Sequence, residues 1–326
     1  MRRTLPIFGV LAVLLVAIAV ANPYFLELPG FLAFVKRAAP LAILAAGQYF
    51  VIVSGEFDLS VGSLVTAEVV IAARLIDGDP GATWPVIVLL LVLGTLIGLV
   101  NGAVTTFLRV PSFITTLGMM LILAGAVFLW TGGAPRGALT EQFRTFGRGG
   151  LGPVPWSVLI LLAVVVAVVL LMRADFGRTL VATGDNPGAA ALSGVRVPRT
   201  KTIAFVLSGL SAAVCAVLLG GFAGVSAQVG QGLEFQAITA VVLGGVVLGG
   251  GRGSVVAAIA GAFTLEALFT LLNLYGISGA LESAVQGVIL IAAIALGALS
   301  LPARSARART TNATSHTTPD PTHAKG

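Results

Sequence analysis

The sequence predicts an all-α integral membrane protein with about ten transmembrane helices. Three observations carry that expectation. Of the 326 residues, 57% are hydrophobic and only 10% are charged, against roughly 25% charged in a soluble domain. Mean hydropathy is +1.03. The apolar residues also gather into ten runs, each near the roughly 20 residues that a spanning helix needs. A water-soluble globule of this length cannot hide so many apolar side chains, so ordinary soluble enzyme folds are excluded. Disorder of the whole chain needs the opposite composition.

The runs follow in order. Residues 5–21 stand behind Arg2 and Arg3. Their Ala19-Val20-Ala21 resembles a signal-peptide cleavage site, but the run is long for such a segment and is read as a retained span. Runs 39–55 and 59–76 are separated only by Glu56-Phe57-Asp58. The fourth run is 84–108. The fifth, 112–131, starts behind Pro111, which breaks the preceding helix. A polar, Gly-rich stretch covers 132–153, and the sixth run is 154–172. The longest charged loop, 173–201, precedes runs 202–222, 234–250, 254–272 and 282–299. Residues 1–301 thus form one transmembrane domain. Residues 302–326 are rich in Thr, Ser, Pro and Arg and read as a disordered tail.

Charge orients these spans. Lys+Arg 19 against Asp+Glu 13 gives a net charge of +6. With ten spans and the N-terminus inside, the inner segments hold 13 of the basic residues and the outer segments 6. That bias places both termini in the cytoplasm. Lys36 and Arg37 fit this poorly unless they snorkel from an interfacial helix over 28–38. The basic excess therefore speaks of membrane lipid as neighbour, with no nucleic-acid partner, since aromatics are only 7%.

Catalytic chemistry finds no foothold. Cys215 is the single cysteine, so no disulfide within the chain and no Cys-based metal site can form. Both histidines, His316 and His323, lie in the polar tail. The loop Gly249-Gly250-Gly251-Arg252-Gly253-Ser254 lacks the Lys-Ser/Thr of a phosphate-binding loop. No catalytic residue, metal site or cofactor is expected on this chain.

Three polar segments carry information. In Ser54-Gly55-Glu56-Phe57-Asp58-Leu59-Ser60, carboxylates and hydroxyls interrupt two apolar runs. Asp58 can cap the helix that follows, and the break can line a pathway; the two readings are compatible. In the long loop, Asn186 is a good N-cap, Pro187 suits the first helical position, and Gly194 can stop the helix in the left-handed region. That is a short, capped docking helix. Gly230-Gln231-Gly232-Leu233-Glu234 opens a run of small residues that lets another backbone approach, with Glu234 suited to a helix N-terminus. Glu68 and Glu266 lie inside expected spans, either as functional groups or as hydrogen-bonded structural ones. Asp58, Ser60, Asn101, Ser112, Phe113, Thr115 and Thr116 are the expected pathway residues, as polar or aromatic groups near helix ends.

Together these segments resemble the permease subunit of the ribose/xylose/galactose-type monosaccharide ABC importers. The family's Gly-Gly-Ile-Asp-Leu-Ser-Val-Gly-Ser stands here as Gly55-Glu56-Phe57-Asp58-Leu59-Ser60-Val61-Gly62-Ser63. Asn101-Gly102, Pro111-Ser112-Phe113-Ile114-Thr115-Thr116-Leu117-Gly118, Phe176-Gly177-Arg178 and Gly184-Asp185-Asn186 also fit its pattern. So do Leu192-Ser193-Gly194, Glu234-Phe235-Gln236-Ala237-Ile238 and Val242-Leu243-Gly244-Gly245, in order over about 40–295. Glu56-Phe57 departs from the commoner Gly-Ile and adds a charge beside Asp58. Branched-chain amino acid and nucleoside permeases share the architecture, and an ion-coupled transporter using Glu68, Glu266 and Asp58 is the reading from another class.

The resemblance implies an inverted-repeat ABC importer permease fold, in which spans two to five are related to spans seven to ten. It implies two permease chains, identical or close paralogues, around one pore in the cytoplasmic membrane. An extracytoplasmic sugar-binding protein delivers the substrate and largely sets selectivity. A separate ABC ATPase subunit holds the ATP and magnesium, so this chain is not itself an enzyme. By the same resemblance, Arg178, Asp185, Asn186, Pro187, Ala189, Ala190, Leu192, Ser193 and Gly194 form the helix on which the ATPase pushes, with Ala190 and Leu192 on its docking face.

Overall fold

The computed structural model describes residues 5–277 and 280–299, so the expected tail 302–326 lies outside the described residues. Ten helices overlap the ten expected runs. They are α1 (Leu5–Ala21), α2 (Leu28–Val53), α3 (Val61–Ile76), α4 (Thr83–Phe107), α5 (Ser112–Thr131), α7 (Trp156–Arg173), α10 (Val197–Ala223), α11 (Leu233–Leu243), α12 (Val255–Leu274) and α13 (Ala280–Leu299). Six of them, α2, α4, α5, α7, α10 and α12, are long and apolar enough to cross a membrane. Helices α6 (Glu141–Arg148), α8 (Asp175–Asp185) and α9 (Pro187–Leu192) are the short ones.

Three features depart from the sequence expectation. The first is that no separate interfacial helix forms over 28–38: α2 runs through it without a break, carrying Pro40 in its interior. A proline costs a helix its backbone bond, but α2 is buried from Ala38 to Val53, where neighbouring helices hold it in place. Lys36 and Arg37 are spoken for. The Lys36 ammonium donates to the Arg148 carbonyl at 3.1 Å and sits 5.7 Å from the Phe222 ring centre. The Arg37 guanidinium pairs with Glu266 at 3.6 Å.

The second is α11. The expected span 234–250 is a helix of only 11 residues, about 17 Å long at 1.5 Å per residue, roughly half a bilayer core. Gly244 and Gly245 stop it. A side chain at Gly244 would overlap the Ala257 carbonyl of α12, and Gly245 has a φ of +80°.

The third is the Gly-rich stretch 132–153, which contains structure. The Thr140 hydroxyl accepts the Phe143 N–H at 3.2 Å, capping α6, and Phe143 is fully buried. A hairpin of β1 (Gly150–Leu151) and β2 (Val154–Pro155) follows, with Leu151 opposite Val154.

At the centre α2 and α10 lie side by side. Helix α10 packs on α4 and α3, while α2 packs on α12 and α11; outward, α3 carries α5 and α11 carries α13. The blocks α2–α5 and α10–α13 therefore exchange contacts reciprocally. Where α10 crosses α4, a side chain at Gly209 would overlap the Gly94 carbonyl. Such tight crossings matter in lipid, because tails are as apolar as Leu and helix association rests on packing and hydrogen bonds.

Candidate functional site

The short helix α9 is built as its residues demand. The Asn186 side-chain oxygen accepts the Ala189 N–H at 3.0 Å, Pro187 opens the helix, and Gly194 takes a φ of +87° just beyond its end. Arg178, Asp185, Asn186, Pro187, Ala189, Ser193 and Gly194 are exposed around it, with Arg178 paired to Asp175 one turn earlier in α8. Ala190 and Leu192 do not share the docking face expected of them. Leu192 is 93% exposed, whereas Ala190 is 5% exposed. Leu192 is thus the one large side chain that projects from α9, a knob among exposed Pro187, Gly188, Ala189 and Ala191.

Behind α9 lies a junction made of main chain. The Gly251 N–H donates to the Val53 carbonyl at 2.8 Å, which satisfies one of the free carbonyls at the end of α2. Gly184 of α8 sits so close that any side chain there would overlap the same Val53 carbonyl, and a side chain at Gly251 would run into Asp185 at 2.6 Å or less. Arg252 reaches Asp185 at 3.7 Å across the surface. Beside this junction, Lys201 in the first turns of α10 pairs with Glu56 at 2.5 Å. The unusual charge at Glu56 therefore faces the α9–α10 segment.

Asp58 and its neighbours form a buried polar node. Asp58 does not cap α3 by a side-chain bond to the helix; its Oδ1 accepts the Ser60 N–H at 3.0 Å and the Ser60 hydroxyl at 2.6 Å. Its Oδ2 accepts the Ser208 hydroxyl of α10 at 2.9 Å. The Asn101 amide of α4 donates to the Ser60 oxygen at 2.8 Å. Ser112 accepts the Phe57 N–H at 3.1 Å, and Thr116 donates to the Ser112 carbonyl at 2.8 Å and toward the Phe57 carbonyl at 3.4 Å. The 57–60 turn thus gathers Asp58, Ser60, Asn101, Ser112 and Thr116, all expected pathway residues, together with Ser208. Of the remaining two, Phe113 points outward, 55% exposed, and the Thr115 hydroxyl is buried without a hydrogen-bond partner among the described residues. The carboxylate of Glu68 is likewise buried and without such a partner, close to Gly94.

Ser208 is the member of the node that the sequence conceals. A serine in an apolar run carries no signal until the fold brings it opposite a carboxylate. No group of three or more His, Cys, Asp or Glu side chains among the described residues is placed to hold a metal ion.

Residues 30–294 match the family described as "Branched-chain amino acid transport system / permease component". The chain belongs to this family. Within it, the ribose import permease protein RbsC of Bacillus subtilis (strain 168) is 34% identical over 307 residues, covering 91% of this chain and 92% of the relative. RbsC of Escherichia coli (strain K12) is 34% identical over 290 residues, 87% of this chain and 90% of the relative. The autoinducer 2 import system permease protein LsrC of Enterobacter sp. (strain 638) is 33% identical over 295 residues, 90% and 83%. No solved structure matches. The resemblance carried by the motifs therefore holds, and the chain is a multi-pass membrane permease of the ABC importer type.

Proposed function

We propose that this permease is the transmembrane subunit of an ATP-driven importer that moves a monosaccharide across the cytoplasmic membrane. Two chains, identical or close paralogues, form the pore. An extracytoplasmic binding protein hands over the sugar, and a separate ATPase subunit holds ATP and magnesium. Both termini lie in the cytoplasm, as the basic loops favour, and the reciprocal packing of α2–α5 and α10–α13 supports an inverted repeat.

The observation that carries the reading is the knob on α9 backed by the Val53–Gly184–Gly251 junction. An ATPase groove closing on Leu192 pushes α8 and α9. Through the junction that push reaches the end of α2 and the segment leading into α12. Through Lys201 and Glu56 it reaches the turn that holds the Asp58 node. These are the elements that meet at the centre of the bundle, so their movement exchanges outward for inward access. The names of the relatives support a sugar-like cargo.

Uptake into vesicles holding the permease, its ATPase and its binding protein tests the proposal. Ribose, xylose or galactose uptake is expected to stop on ATP depletion and survive an uncoupler. Uptake that survives ATP depletion but dies with the uncoupler points to ion coupling. ATP-dependent uptake of leucine in place of any sugar points to an amino-acid permease.

A further inference from the structure

The Asp58 carboxylate has both oxygens hydrogen-bonded and is closed to solvent, so it leaves open where a sugar touches this chain on its way through. A different part of the molecule answers. After α10 ends at Ala223, residues 224–232 turn back along the bundle, and the Gly230 N–H donates to the Thr66 hydroxyl of α3 at 3.0 Å. Gly62 and Gly230 stand backbone to backbone, and a side chain at Gly62 would overlap the Glu234 carboxylate. The depth of this meeting follows from the neighbouring node. Asp58, three residues before Val61 opens α3, bonds Ser208, which lies about 17 Å from the Val197 end of α10 and about 22 Å from the Ala223 end. The 224–234 segment therefore descends to near mid-membrane before α11 begins.

Along this descent runs a cleft of about 480 Å³, within the roughly 300–1,000 Å³ of small-molecule sites. One wall is polar, with Ser63, Gln228, Gln231 and Glu234. The other is apolar, with Met120 and Phe128 of α5. Carboxamides and a carboxylate at this depth are costly against lipid, so they face protein or water.

From this geometry we infer that the cleft is a substrate-binding step on the pathway and that it takes a neutral polyhydroxylated molecule. The inference rests on the sugar-importer reading above and says where that sugar is held. Amides both donate and accept, and a carboxylate accepts, which matches hydroxyl groups that do both. The C–H face of a sugar ring has Phe128 to lie against. No Lys or Arg among the described residues lines the cleft, so nothing there pairs the carboxylate of an amino acid or a phosphate group.

The test uses the full chain in lipid nanodiscs, with Gln231→Cys labelled by a membrane-impermeant maleimide. The native Cys215 is buried and gives little background. The introduced thiol is expected to label, and at least one of ribose, xylose and galactose is expected to slow labelling several-fold, while leucine does not. No labelling, equal labelling with every sugar, or protection by leucine overturns the inference. In the complete importer, Gln231→Ala and the shape-conserving Glu234→Gln are each expected to raise the KM for the protecting sugar about tenfold, the loss of one good hydrogen bond. Sugar uptake with an unchanged KM in both variants overturns the cleft assignment alone. Uptake of leucine in place of sugar overturns the importer reading with it.

Discussion

The ammonium of Lys201 lies 2.5 Å from the Glu56 carboxylate, with the two side chains only 16% and 17% exposed. It ties the first turns of α10, just past the α9 knob, to the turn between α2 and α3. Removing one partner of a buried pair leaves a charge without its mate, which costs roughly 3–5 kcal/mol when burial is complete. At this partly wetted site, Lys201→Met is expected to cost about 2 kcal/mol. The double variant with Glu56→Gln should recover most of it. Thermal midpoints of the four proteins in detergent give the coupling, and purely additive losses would show that the contact carries none.

The two α9 residues should separate by phenotype. Leu192→Asp should leave the fold intact, because the side chain is nearly all in solvent, but would spoil the proposed apolar contact with the ATPase. Transport is expected to fall at least tenfold with the thermal midpoint unchanged, and stimulation of ATP hydrolysis by loaded binding protein should disappear. Ala190→Asp instead buries a carboxylate without a partner, so it should lower the midpoint and the yield. Equal midpoints for both variants would contradict the inward placement of Ala190.

Gly184→Ala is the smallest change that tests the main-chain junction. The added methyl overlaps the Val53 carbonyl and comes within 2.5 Å of the Gly251 nitrogen. Overpacking of this kind costs about 1–3 kcal/mol, and the Gly251 bond to Val53 should open. Faster amide exchange at Gly251, together with poorer coupling of ATP hydrolysis to uptake, is the expected result. Gly188→Ala, two residues before Ala190 and with far more room, serves as the neutral control.

Ser208→Ala removes the donor to Asp58 Oδ2 while keeping the backbone of α10 unchanged. Side-chain hydrogen bonds between membrane helices average about 0.6 kcal/mol, with a maximum near 1.7. A loss at the upper end is expected here, because the orphaned acceptor is a fully buried carboxylate oxygen. Ser208→Thr should retain the bond and most of the stability. A threonine variant no better than alanine would mean that Oδ2 does not depend on this hydroxyl.

The legible parts of the molecule are those written in local chemistry. Asn186, Pro187 and Gly194 declare the beginning and end of α9 through caps that need only their own backbone, and the apolar runs place ten helices. The hidden parts depend on residues far apart in the chain. Nothing local tells that Ala190 turns inward while Leu192 turns out, because a run of alanines has no polar side to mark. Helix α11 stops where Gly245 turns left-handed and Ala257 of α12 crowds Gly244, although the apolar composition continues to 250. The 132–153 stretch conceals α6, whose cap at Thr140 is readable but whose Phe143 is buried only by distant helices. Ser208 and Gln228 likewise acquire meaning from Asp58 and from the cleft.

The junction behind α9 has a mechanical consequence. Contacts between side chains can adjust by changing rotamer. At Val53, Gly184 and Gly251 no rotamers intervene, because the touching atoms are peptide groups. Such a joint has almost no slack. In the proposed importer, a stroke delivered at Leu192 would pass to α2 through this joint, with the short α8–α9 arm as a stiff crank.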